Sequence, residues 1–137
     1  MPHKITISAT IHAPIANVWE YWTKPNHITH WAFADPSWEA PHAENDLRVG
    51  GNFLTRMQAK DGSFGFDFGG TYDAVQEHSL IDYTMGDGRQ VSTTFSQTPE
   101  GVLITSTFDP ESQNPEDMQR NGWQAILNNY KAYVEEK

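Results

Sequence analysis

Tyr72 and Tyr83 are the side chains in this chain best suited to chemistry in an apolar setting. A phenol within a hydrophobic wall orients a bound molecule through one hydrogen bond, or serves as an acid. Thr93 offers the first of these functions. His27 and His30 stand three residues apart and share a helix face, but a metal centre needs three or four ligands in defined geometry. No third histidine or carboxylate follows at a matching spacing, so the pair reads as a surface feature and no metal is expected. Asp67 and Asp73 are out of phase with Phe66, Phe68 and Tyr72, which argues against a buried acid pair of the glycosidase kind. Arg48 and Arg56 are out of phase with Phe53 and Met57 and read as outer-face residues, with an anion-binding role as the alternative. Cysteine is absent, which removes thiolate metal sites, disulfides and cysteine nucleophiles together. No nucleophile elbow, phosphate loop or dinucleotide fingerprint occurs, since Gly50-Gly51 opens no helix and precedes no lysine. The expectation is therefore no catalytic constellation and no cofactor.

Positioning these groups requires a curved sheet. Ile5, Ile7, Ala9 and Ile11 alternate with polar residues as one half-buried strand. Pro14 suits the first turn of a helix whose apolar face is Ile15, Val18, Trp19 and Trp22. A second short helix is predicted over residues 26–31, and the prolines Pro36 and Pro41 break regular structure from there to Asp46. From Asp46 to Phe53 the chain reads as a strand interrupted by Gly50-Gly51, a backbone device that bends the sheet. Phe53, Thr55 and Met57 then share a face. Beyond the Lys60-Asp61-Gly62 turn, Phe64, Phe66, Phe68, Gly70, Tyr72 and Ala74 share another. Gly69-Gly70 marks a bulge or sharp bend in that long strand. Three shorter strands follow, over residues 80–85, 90–97 and 102–108. Asn114 as cap, Pro115 at the first position and Glu116-Asp117 behind it predict a final helix with Trp123, Ile126, Leu127, Tyr130 and Val134 on one face.

The bulk properties narrow the function classes. One domain spanning residues 1–137 is expected, with few but large core side chains, because aromatics reach 12% while hydrophobics total 37%. A formal net charge of -9 repels phosphate backbones and anionic lipid, and no basic run offsets it, so nucleic-acid partners are not expected. No apolar run approaches a membrane span, and the residues after Met1 do not resemble a signal peptide. A cytoplasmic protein without membrane insertion, monomeric or homodimeric, is the expectation.

The ordered set Ala13-Pro14, Val18-Trp19, His30-Trp31, Asp46 to Phe53, Gly70-Thr71-Tyr72 and Gly122-Trp123 spans nearly the whole chain. In that order it resembles the START-like (SRPBCC) superfamily, and within it the branch named after the activator of the heat-shock protein 90 ATPase. The resemblance implies an α+β helix-grip fold, a strongly curved antiparallel sheet around a long C-terminal helix with two short helices after the first strand. It also implies a mainly apolar cavity between sheet and helix, holding a hydrophobic or amphipathic small molecule. Trp31, Phe33, Phe53, Met57, Phe66, Phe68, Tyr72, Tyr83, Phe95, Met118, Gly122 and Trp123 are the candidate ligand-contacting residues. Gly122 costs about 1 kcal/mol within a helix, to be compensated by close approach of the sheet or by room for a ligand, with close packing the expectation. Two alternatives stay open: an enzyme of cyclase, dehydratase or hydrolase type with a tyrosine as acid, and a co-chaperone-like interaction protein. The eukaryotic co-chaperone carries an additional N-terminal domain for which 137 residues leave no room, so chaperone activation is the minor reading.

Overall fold

The computed structural model describes residues 4–137. Its elements are β1 (Ile5–Ile11), α1 (Ile15–Thr23), α2 (Pro25–Ile28), β2 (Trp38–Asn45), β3 (Asn52–Ala59), β4 (Gly65–Gln76), β5 (Leu80–Met85), β6 (Gln90–Thr98), β7 (Gly101–Phe108) and α3 (Glu116–Glu135). The seven strands form one sheet in the order β1-β7-β6-β5-β4-β3-β2. Each neighbouring pair is antiparallel. Consecutive hairpins from β2 to β7 build the sheet, and β1 closes onto β7. The sheet curls into a half-barrel that grips α3, the helix-grip arrangement of an α+β protein.

The concave face holds the core. Ile5, Ile11, Val18, Val102, Ile104 and Phe108 are each 0% exposed, as alternation in β1 and β7 and the apolar stripe of α1 demand. Helix α3 is fastened across them by side-chain bonds to distant backbone. The Tyr130 hydroxyl donates to Val18 O at 2.5 Å, Lys131 Nζ to Thr10 O at 2.5 Å, and Asn129 Nδ2 to Trp31 O at 3.0 Å. Glu116 and Asp117 stand in the first turn of α3, where acidic charge complements the helix dipole. The N-cap is Pro115 rather than Asn114, whose own amide groups donate to the Glu111 carboxylate.

Several local expectations are corrected. The segment around Pro41 is a strand, not irregular chain. Proline is tolerated there because β2 is a sheet edge and its register shifts between Glu39 and His42, so no ladder bond is lost. Residues 46–51 are not a bent strand but the connection reversing the chain from β2 to β3. Gly50 takes φ +84° there, and its N–H donates to Tyr72 O at 2.9 Å. Helix α2 ends at Ile28, and residues 29–31 form a turn. The bulge of β4 lies not at Gly69-Gly70, where pairing with β3 is continuous, but between Tyr72 and Ala74. One extra residue there shifts the phase, so Val75 pairs with inward Ile81, and Ala74 pairs with Asp82 off the inner face.

Candidate functional site

A pocket of about 360 Å³ opens between the inner faces of β3, β4 and β5 and the first half of α3. Alternation in the strands supplies its wall: Phe53, Thr55 and Met57 from β3, Phe66, Phe68 and Tyr72 from β4, and Tyr83 from β5. Tyr72 and Tyr83 pair directly across β4 and β5, and Phe53 packs on both, with ring centroids 5.2 and 4.7 Å away. Trp123, Ile126 and Leu127 line the helix side, while Trp22, Ile28, Trp31 and Ala32 close the end beneath α1 and α2. Trp123 joins the two regions, stacking on Phe108 at 3.9 Å and meeting Phe68 edge-on at 5.9 Å.

The polar groups on this apolar surface are few and unequal. The Tyr72 hydroxyl donates to Asn45 Oδ1 at 2.5 Å, and Asn45 Nδ2 donates to Thr23 O at 2.6 Å, so the end of β2 is tied to the end of α1. Burial pushes the Tyr72 phenol well above its ordinary value. Burial does the same to Tyr83; Tyr72 beside it adds to the rise and the positive charge of Arg89 opposes it. Both phenols are thus neutral donors throughout the ordinary pH range. Among the described residues, no group accepts from or donates to the Tyr83 hydroxyl. The Thr93 hydroxyl is shared with Ser106 at 2.8 Å, and it is Ser106 that reaches the pocket. Buried Gln119 accepts from Glu111 N at 2.8 Å and donates to Glu111 O and Asn114 O, pinning the loop before α3 at the pocket rim.

Of the residues singled out in the sequence, Trp31, Phe53, Met57, Phe66, Phe68, Tyr72, Tyr83 and Trp123 meet at this pocket. Four others do not line it. Phe95 lies beneath α1, 5.2 Å from Trp19 and 5.6 Å from Trp22, and is core. Phe33 follows the turn after α2 and packs on the core from outside the lining. Met118 is 59% exposed, because the phase of α3 that turns Gln119 inward turns its neighbour outward. Gly122 lacks the close packing expected of it: a Cβ there would meet nothing within 4 Å. Trp22, Asn45, Arg89, Gln119, Ile126 and Leu127 also line the pocket. Arg89 was legible in principle, two residues before Val91 on the inward phase Val91, Thr93, Phe95 of β6; Asn45 carried no such signal.

The remaining titratable candidates lie elsewhere. Arg48 pairs with Asp46 at 2.9 Å and Arg56 with Asp67 at 3.3 Å, all on exposed chain. Asp73 accepts from the Thr84 hydroxyl at 2.6 Å on the outer face. His27 and His30 both pack on Tyr133. His27 Nδ1 shares a 2.7 Å hydrogen bond with its hydroxyl, and His30 stacks on its ring at 5.6 Å. His27 is therefore half-buried rather than a plain surface group, and desolvation holds its pKa below the usual imidazole value.

This sequence matches the family described as "Activator of Hsp90 ATPase homolog 1-like protein" over residues 12–135. No curated protein matches it. Among solved structures, an AHSA1-like protein from Aeromonas hydrophila is 42% identical, with a TM-score of 0.91 over 97% of this chain and 92% of that one. A protein from Cytophaga hutchinsonii is 52% identical, with a TM-score of 0.84 over 97% of this chain and 92% of the other. A protein from Nitrosomonas europaea shares the fold, with a TM-score of 0.84 over 97% of this chain and 94% of that one, at 20% identity. Among the described residues, no helix is long and apolar enough to cross a membrane.

Proposed function

Since this chain belongs to the Activator of Hsp90 ATPase homolog 1-like family of the START-like superfamily, we propose that it binds a hydrophobic or amphipathic small molecule between its sheet and α3. The observation that carries this reading is the pocket itself. Eight aromatic side chains from three strands, two helices and the turn after α2 converge on about 360 Å³ without filling it: Trp22, Trp31, Phe53, Phe66, Phe68, Tyr72, Tyr83 and Trp123. Apolar walls with a few placed polar groups are the usual composition of small-molecule sites. The phenols support binding over acid catalysis, because a general acid works best with a pKa near the operating pH and burial drives both of these away from it.

The test uses N-phenyl-1-naphthylamine, an uncharged apolar probe. Binding to the native state alone raises Tm in proportion to the logarithm of free probe, by mass action. Wild type shows that rise together with enhanced probe fluorescence, and Ile126→Trp, which places an indole in the pocket, loses both while remaining folded. Absence of any response in wild type, or full retention in Ile126→Trp, overturns the reading.

A further inference from the structure

We infer that the pocket recognises an amphipathic monocarboxylic acid, its carboxylate held by Arg89 and the Tyr83 hydroxyl and its apolar body lying against Phe53, Phe68 and Trp123. This inference rests on the small-molecule reading and assigns the polar end of that ligand. Among the described residues, Arg89 is the sole arginine or lysine in the pocket lining. Its inward placement follows from β-sheet phase. Val91, Thr93 and Phe95 face the core from β6, and Arg89 stands two residues earlier, where its carbonyl accepts from Met85 N at 2.8 Å. Tyr83 pairs with Val91, which makes Arg89 its diagonal neighbour on the same face.

Both groups have donors to spare. Arg89 Nε donates to Asp87 Oδ2 at 2.8 Å, and no acceptor among the described residues takes the terminal N–H groups of its guanidinium. The Tyr83 hydroxyl is likewise unpartnered, whereas the neighbouring Tyr72 proton is already given to Asn45. Donors on an apolar wall retain their desolvation cost until an acceptor arrives. A planar carboxylate suits an arginine fork through two parallel bonds, a geometry that ammonium groups do not reproduce. The opposing charges in the lining are otherwise engaged. The Glu44 side chain is 69% exposed and bonded to His42 Nε2 at 2.7 Å. Glu111 accepts from Asn114 N at 2.6 Å and from Asn114 Nδ2 at 3.2 Å. The Arg89 side chain, by contrast, is only 27% exposed. Two acids at the lining still disfavour a dianion, which selects a singly charged head group over a phosphate monoester.

Isothermal titration of the purified chain with decanoate, decan-1-ol and decyl phosphate tests the assignment, since the three share one alkyl body. Wild type should bind decanoate about tenfold more tightly than the alcohol, the worth of one charge-assisted contact of roughly 1.4 kcal/mol. Arg89→Gln should remove the preference for decanoate over the alcohol, and Arg89→Lys should recover only part of the difference. Tyr83→Phe should weaken decanoate severalfold. Equal binding of acid and alcohol by wild type, or full decanoate affinity in folded Arg89→Gln, overturns the carboxylate site and leaves the pocket reading standing. Tighter binding of decyl phosphate than of decanoate also overturns it. Failure of all three probes with a folded wild type that still binds N-phenyl-1-naphthylamine overturns the carboxylate site alone, and failure of all four overturns both.

Discussion

The two halves of the sheet obey the same inward–outward alternation and reach different ends. Under α3, which lies closest to β1, most of the inward residues of β1 and β7 are sealed: Ile5, Ile11, Val102, Ile104 and Phe108 have no exposed surface, while Ile7 and Ser106 of these strands reach the pocket. In β3, β4 and β5 the inward residues are at least as large, yet Phe53, Phe68 and Tyr83 stay half-buried and Phe66 is 41% exposed. Trp123 marks the boundary, stacked on Phe108 on one side and in edge-on contact with the pocket wall at Phe68 on the other. Pattern alone therefore makes an apolar face. Whether that face becomes core or pocket wall depends on how far the helix reaches over it.

The comparison can be broken by paired truncations. Phe108→Ala in the sealed half should cost about 3–5 kcal/mol in urea denaturation, while Phe68→Ala should cost less than half of that, because one side of its ring already faces a void. Equal losses would show that the halves do not differ in packing. High pH sharpens the same contrast. Tyr130 is 0% exposed and Tyr72 7% exposed, and burial raises both phenols above their unfolded value near 10. A raised native pKa means that the stabilising effect of the neutral phenol is complete below about pH 10 and is lost above it, as the unfolded chain releases protons the native state keeps. The slope is about 1.4 kcal/mol per phenol per pH unit. Tyr130→Phe should remove one proton's worth of that slope, and an unchanged alkaline limb would refute the assignment.

Two glycines extend the contrast at smaller scale. A Cβ on Gly70 would come within 2.5 Å of the Thr84 carbonyl oxygen, so Gly70→Ala should destabilise by about 1–3 kcal/mol. A Cβ on Gly122 meets nothing, so Gly122→Ala should stabilise by about 1 kcal/mol through helix propensity alone. Thermal melts of both variants check the signs, and a destabilised Gly122→Ala would mean that α3 approaches the sheet more closely than its geometry shows.

Legibility along the chain varied with how local the cause was. The alternation of β1, β3 and β7 and the stripe of α3 depend on side-chain period within one element, and each could be read directly. The strand around Pro41 was missed because its tolerance of proline comes from being a sheet edge, which no residue near it reveals. Composition points to a bulge at Gly69-Gly70. Those glycines instead serve close strand approach, with a Cβ on Gly69 falling 2.6 Å from the Phe53 carbonyl oxygen, and the extra residue sits beyond Tyr72. Among candidate site residues, the β3 and β4 aromatics share a strand face and were legible together. Phe95 was not separable from them, since its burial beneath Trp19 and Trp22 depends on where α1 docks.

By itself the sequence determined most of the elements and their inward faces, because hydrophobic period and turn chemistry act over a few residues, while the helix-grip class came from the family resemblance of its ordered motifs. Tertiary structure alone decided that Tyr72 would be committed to Asn45, that Tyr83 and Arg89 would line one pocket, the Tyr83 hydroxyl without a partner among the described residues and Arg89 paired through Nε with Asp87, and that Met118 would lie outside it. Those outcomes depend on how α3 lies across the sheet, set by contacts such as Lys131 to Thr10 and Tyr130 to Val18 between residues far apart in the chain. Local periodicity carries no information about such contacts.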